Sequence, residues 1–67
     1  MYHGTYHKMN EETRKLLTMD HDEETVKIIL EQVEYYESKQ IRKYTINYPK
    51  GEYYVENGLF YGQKKYV

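Results

Sequence analysis

Between residues 11 and 38 apolar side chains recur every three or four positions, and from residue 41 onward they alternate with polar ones. The change from a 3.6-residue to a two-residue period predicts helices first and strands afterwards. Asn10 is placed to cap a short helix over 11–18, with Glu11 and Glu12 in a first turn whose dipole favours acids. Leu16 and Leu17 are its apolar anchors. Asp20 and Glu23, three apart ahead of an apolar run, read as a capping box opening a second helix over about 22–38. At ~100° per residue, Val26, Ile29, Leu30, Val33 and Tyr36 fall within an arc of about 120° and form its core face. Glu23, Glu31, Glu34 and Glu37 gather on another side, around Lys27. Ile28 and Tyr35 align on a flank that either the first helix covers, the expected outcome, or a partner contacts.

The alternating region divides at two turns. Residues 42–48 form a first strand, and Pro49-Lys50-Gly51 a turn in which Pro presets φ. Residues 52–56 form a second strand. Asn57-Gly58 is the strongest hairpin signal in the chain, because a type I′ turn needs positive φ at both central positions. Residues 59 to about 66 form a third strand, interrupted by Gly62. The expected fold is α+β: a short helix and a longer amphipathic helix packed on a three-stranded antiparallel meander, in the order ααβββ. It makes one domain, 1–67, with residues 1–9 expected to be a flexible N-terminal segment.

The turns predict a register. A two-residue Asn-Gly turn pairs Glu56 with Leu59, Val55 with Phe60 and Tyr54 with Tyr61. A three-residue Pro-Lys-Gly loop pairs Tyr48 with Glu52, Ile46 with Tyr54 and Tyr44 with Glu56. One face then carries Tyr44, Ile46, Tyr48, Tyr54, Leu59 and Tyr61, and is expected to lie under the helices. The other carries Tyr53, Val55 and Phe60 with Thr45 and Asn47, an apolar patch left for a partner. A one-residue change in the first loop would exchange the faces of strand one.

Composition sharpens this picture. Of 67 residues, 39% are hydrophobic, but ten of these are Tyr and none is Ala or Trp. A chain this short buries only about 60% of its unfolded surface. With no cysteine there is no disulfide to add stability, so self-association or a partner is the expected supplement. Tyr offers a large contact area at low entropic cost and is enriched in interfaces. The lack of cysteine fits a reducing compartment. No run of consecutive apolar residues exceeds three, so no membrane span or secretory apolar segment is expected, and the chain reads as cytosolic.

Net charge is −1, unevenly spread. Residues 10–37 hold nine acids against three bases, and residues 38–67 hold six bases against two acids. This dipolar pattern bears on partner choice and association rate. Catalytic signals are sparse: no phosphate-binding glycine loop and no nucleophile motif, so no enzyme is expected. His3 and His7 are four apart, but Gly4 and Thr5 disfavour a helix there, and neither metal nor cofactor is expected. The expected function is a protein-binding module, a regulator or inhibitor of a host enzyme or nucleic-acid-handling protein. It would use the acidic helix face (Glu23, Glu31, Glu34, Glu37 with Ile28 and Tyr35), suited to a basic partner surface, or the sheet patch (Tyr53, Val55, Phe60). In style the chain resembles the short, cysteine-free accessory proteins of phages and mobile elements. The alternative is a nucleic-acid binder using Arg42, Lys43, Lys50, Lys64 and Lys65 on the Tyr-bearing meander.

Overall fold

The computed structural model describes residues 7–66. Helix α1 spans Glu11–Asp20 and helix α2 Glu23–Ser38; strands β1 (Lys43–Tyr48), β2 (Gly51–Glu56) and β3 (Leu59–Lys65) follow. The strands form one antiparallel sheet in the order β1-β2-β3. The ααβββ layout is thus the one that the change of period predicts.

Both helices begin alike. Asn10 Oδ1 accepts the Thr13 amide at 2.8 Å, and Asp22 Oδ1 accepts the Thr25 amide at 3.1 Å. The sequences Asn-Glu-Glu-Thr and Asp-Glu-Glu-Thr are the same device twice: a capping side chain, two acids in the first turn, and a Thr whose amide is capped. The expected cap at Asp20 is corrected. Asp20 closes α1, and Asp22 is the residue that leaves both Glu23 and Glu24 inside the favourable field of the helix end. Helix α2 ends in a Schellman motif. The Gln40 amide donates to Glu37 O at 3.0 Å and the Ile41 amide to Tyr36 O at 3.1 Å. Gln40 stands at φ 56°, in the left-handed position usually given to Gly.

The hairpins divide the register expectations. Asn57 (φ 54°) and Gly58 (φ 82°) make the two-residue turn, pairing Glu56 with Leu59 and Val55 with Phe60. A bulge then intervenes, so Tyr54 pairs with Gly62 rather than with Tyr61. The first hairpin differs by one residue. Pro49 and Lys50 alone form its turn, and Tyr48 pairs with Gly51, Ile46 with Tyr53, and Tyr44 with Val55. This exchange of faces collects Tyr44, Ile46, Tyr48, Tyr53 and Val55 on one side of the sheet, with Phe60 beside them. The helices supply one layer and cover one face, so the register that puts the bulky groups together is the one that buries them.

The core is Met9, Leu17, Ile29, Val33 and those five sheet residues, with Leu30, Tyr36 and Phe60 packed against it. Leu17, Ile29, Val33, Ile46 and Val55 are fully buried, each contributing about 1.5–3 kcal/mol. Two aromatic rows line it: His21, Tyr48, Tyr53 and Phe60 in successive contact, and Tyr35, Tyr36 and Tyr44. Helix α2 also closes the exposed edge of β1. The Gln32 side-chain amide accepts the Asn47 backbone N–H at 2.9 Å and donates to the Asn47 carbonyl, replacing a neighbouring strand at that position.

Candidate functional site

The face of the sheet away from the helices is built by the residues that alternate with the core. On β1 it carries Lys43 and Thr45; on β2, Glu52, Tyr54 and Glu56; on β3, Leu59, Tyr61 and Lys64. Tyr66 joins from just beyond β3. Leu59, Tyr61 and Tyr66 are about half exposed.

Local contacts fix this face. Tyr54 lies against Gly62, where an added Cβ would stand 3.1 Å from its ring; here a glycine makes room for an aromatic on the neighbouring strand. The Tyr54 hydroxyl donates to one oxygen of Glu52 and the Tyr66 hydroxyl to the other, both at 2.8 Å. These bonds from Tyr66 and Tyr54, aided by Lys64, hold the Glu52 carboxyl below its ordinary range. The same bonds raise both phenols. Glu52 is therefore a fixed anion. The bulge at Tyr61 brings its ring to 6.0 Å from that of Tyr54, and Lys43 Nζ stands 5.5 Å from the Tyr61 centroid. The outcome is an amphipathic platform: tyrosines and Leu59 at the centre, two glutamates on the middle strand and a lysine on each flanking strand.

The residues proposed from sequence are distributed differently. Tyr53 and Val55 are core residues, 9% and 0% exposed, with little or no surface to offer a partner, and Phe60 is half-buried beside Tyr53. Tyr54, Leu59 and Tyr61 share a face as the sequence predicts, but the one-residue register difference in the first hairpin turns that face away from the helices, and Tyr66 joins it. Among the acids, Glu23, Glu31 and Glu34 are exposed, but Glu37 is not one of that group. Its side chain, 8% exposed, accepts the Met9 amide at 2.8 Å and Arg14 Nη2 at 2.7 Å, tying the start of α1 to the end of α2. Ile28 and Tyr35 are not covered by α1: they are 39% and 57% exposed, with Lys39 beside the Tyr35 ring.

The five cations of the nucleic-acid alternative do not form one strip. Lys43 and Lys64 flank the platform and Arg42 precedes β1. Lys50 and Lys65 line a cleft of about 400 Å³ with Asp20, His21, Asp22, Thr25 and Tyr48. In that region Tyr53 and His21 Nε2 are hydrogen-bonded at 2.6 Å, and burial, with Tyr48 close by, pushes the Tyr53 phenol up to about 12. The Thr25 hydrogen bonds hold the Asp22 carboxyl low. Among the described residues no group of three His, Asp or Glu is placed to hold a metal, and no helix is long and apolar enough to cross a membrane. His3 lies outside the described residues. Compared with protein-family models, curated proteins and solved structures, the chain matches none.

Proposed function

We propose that this chain is a small non-enzymatic protein-binding module, regulating or inhibiting its partner, and that it meets that partner through the outer face of the sheet. The observation that carries this reading is the half-exposed set Leu59, Tyr61 and Tyr66 around Tyr54 on a face that neither α1 nor α2 covers. Tyr is the residue type that interfaces enrich, and here the rings are held by their neighbours, so little freedom remains to be lost on binding. The exposed acids of α2 with Ile28 and Tyr35 form the second surface of this module, suited to a basic partner.

One observation favours the nucleic-acid reading: Lys43 and Lys64 flank a tyrosine platform on which bases could stack. Glu52 and Glu56 stand on the middle strand of the same platform, where a phosphate backbone would be repelled.

The test places a photo-crosslinking phenylalanine derivative at Tyr61, Tyr35 or Thr18, one at a time, in the native host. Thr18 is an exposed control on α1. Protein adducts from position 61 and none from 18 are expected. Adducts from 35 alone would move the contact to the acidic helix, and adducts removed by nuclease would establish the alternative.

A further inference from the structure

The outer face has a charge arrangement that discriminates between ways of meeting a copy of itself. Its middle strand carries Glu52, Tyr54 and Glu56, and the β2–β3 register sets these beside Lys64, Gly62 and Leu59 respectively. Two copies meeting face to face about a two-fold axis can be related in four simple ways. An axis along β2 places Glu52 on Glu52 and Glu56 on Glu56. An axis across the strands places Glu52 on Glu56. Both bring carboxylates together. An axis parallel to the strands and running between β1 and β2 sets Glu56 against Lys43 of the second copy, but it leaves the exposed Leu59 and Tyr61 of β3 outside the contact. An axis parallel to the strands and running between β2 and β3 lays β2 of one copy over β3 of the other. Glu52 then faces Lys64 of the second copy, and Lys64 faces its Glu52. Tyr54 meets Tyr61 and Gly62, and Leu59 lies under Glu56 of the second copy at the edge of the contact.

From this complementarity we infer that the outer face takes a second copy of this chain, in an isologous dimer whose two-fold axis lies between β2 and β3; this rests on the reading of that face as a protein-contact surface. The contact repeats one pairing twice, Glu52 with Lys64, around a centre of four tyrosines. Two of the three strands overlap, 4.8 Å apart and some 20 Å long, a footprint of about 200 Å² per copy, which is small for a specific interface. The dimer is accordingly weak. The sheets cross at about 30°, the usual angle for two twisted sheets packed face to face.

The experiment is sedimentation of the full chain from 10 µM to 1 mM, for the parent, Glu52→Lys, Lys64→Glu, the double exchange, and an equal mixture of the two single variants. Each single variant sets like charges against each other in its own dimer and should weaken dissociation constants at least tenfold. The double exchange restores opposite charges and should dimerise like the parent. The mixture should form a heterodimer, since one chain then carries two lysines and the other two glutamates at these positions. Leu59→Glu, which leaves Glu52 and its tyrosine bonds intact, should also be monomeric. Circular dichroism confirms that each variant is folded. A parent that is monomeric at 1 mM overturns the inference, as do single variants that associate like the parent or a mixture that does not re-associate. If the parent is monomeric while a crosslinker at Tyr61 captures another protein, the face is a contact surface but its occupant is not a second copy. If neither occurs, both readings fall.

Discussion

Glu37 is the acid whose removal should matter most. Its carboxylate is almost inaccessible to solvent, and it is the common acceptor for the Met9 amide and the Arg14 guanidinium, 28 and 23 residues away in sequence. Met9 itself is 4% exposed, so its amide has little water to turn to once the acceptor is gone. A hydrogen bond to a charged group contributes about 1.5–3 kcal/mol when its loss leaves a buried partner unsatisfied. Arg14 is 28% exposed and can rehydrate, so its share lies nearer 1 kcal/mol. Glu37→Ala should therefore cost about 3 kcal/mol, and Arg14→Ala about 1 kcal/mol, because the Met9 bond survives the second change. The two together should show a coupling of about 1 kcal/mol in a double-mutant cycle. For a chain of this size each kcal/mol moves the midpoint by about 4–8 °C, so Glu37→Ala should melt about 12–24 °C lower. Urea and thermal unfolding followed by circular dichroism measure both quantities. Glu34→Ala, one turn back and exposed, is the control and should stay within about 0.5 kcal/mol of the parent. If the Glu37 and Glu34 variants prove equally stable, the carboxylate is not tying α1 to α2.

Further outcomes are expected elsewhere in the fold. Gly58 combines φ 82° with a Cβ position only 2.5 Å from the Lys8 carbonyl, so Gly58→Ala should lose about 2 kcal/mol or more in urea unfolding; parent-like stability would mean that the 7–8 segment does not pack there. Gln40→Gly relieves a left-handed non-glycine residue in the Schellman motif and should raise stability by about 0.5–1 kcal/mol, a gain that thermal melting would detect and whose absence would argue against that geometry. The Tyr53 phenol titrates near 12 in the fold against an ordinary value of 10.0, so the folded state holds its proton longer than the unfolded chain. Stability from this group is full below pH 10 and falls between pH 10 and about 12 as the unfolded state ionises. Tyr53→Phe should flatten that part of the stability profile, and an ultraviolet titration should find one tyrosine ionising last.

Features set by neighbours in the chain were legible without a structure. The helical period of 23–38, the Asn10 cap, the alternation that makes the strands and the Asn57-Gly58 turn all depend on a few consecutive residues whose backbone preferences agree. The Asp22 cap was also within reach, since Asp-Glu-Glu-Thr repeats the pattern at Asn10. Tertiary structure decided the first hairpin. Pro49-Lys50 and Pro49-Lys50-Gly51 are both workable turns, and they differ by one residue, which is half of the side-chain period of a strand. The choice rests on burial: only the two-residue turn places Tyr53 and Val55 with Tyr44, Ile46 and Tyr48 under α2, and Gly51 fits there because no Cβ meets the Lys64 carbonyl at 2.3 Å. That choice turned Tyr54 and Tyr61 outward and so created the candidate surface. Glu37 illustrates the same limit. On a helical wheel it is one more acid among four, and only the packing of α1 against the end of α2 makes it a buried acceptor, because a contact between residues 23 and 28 positions apart leaves no trace in local spacing.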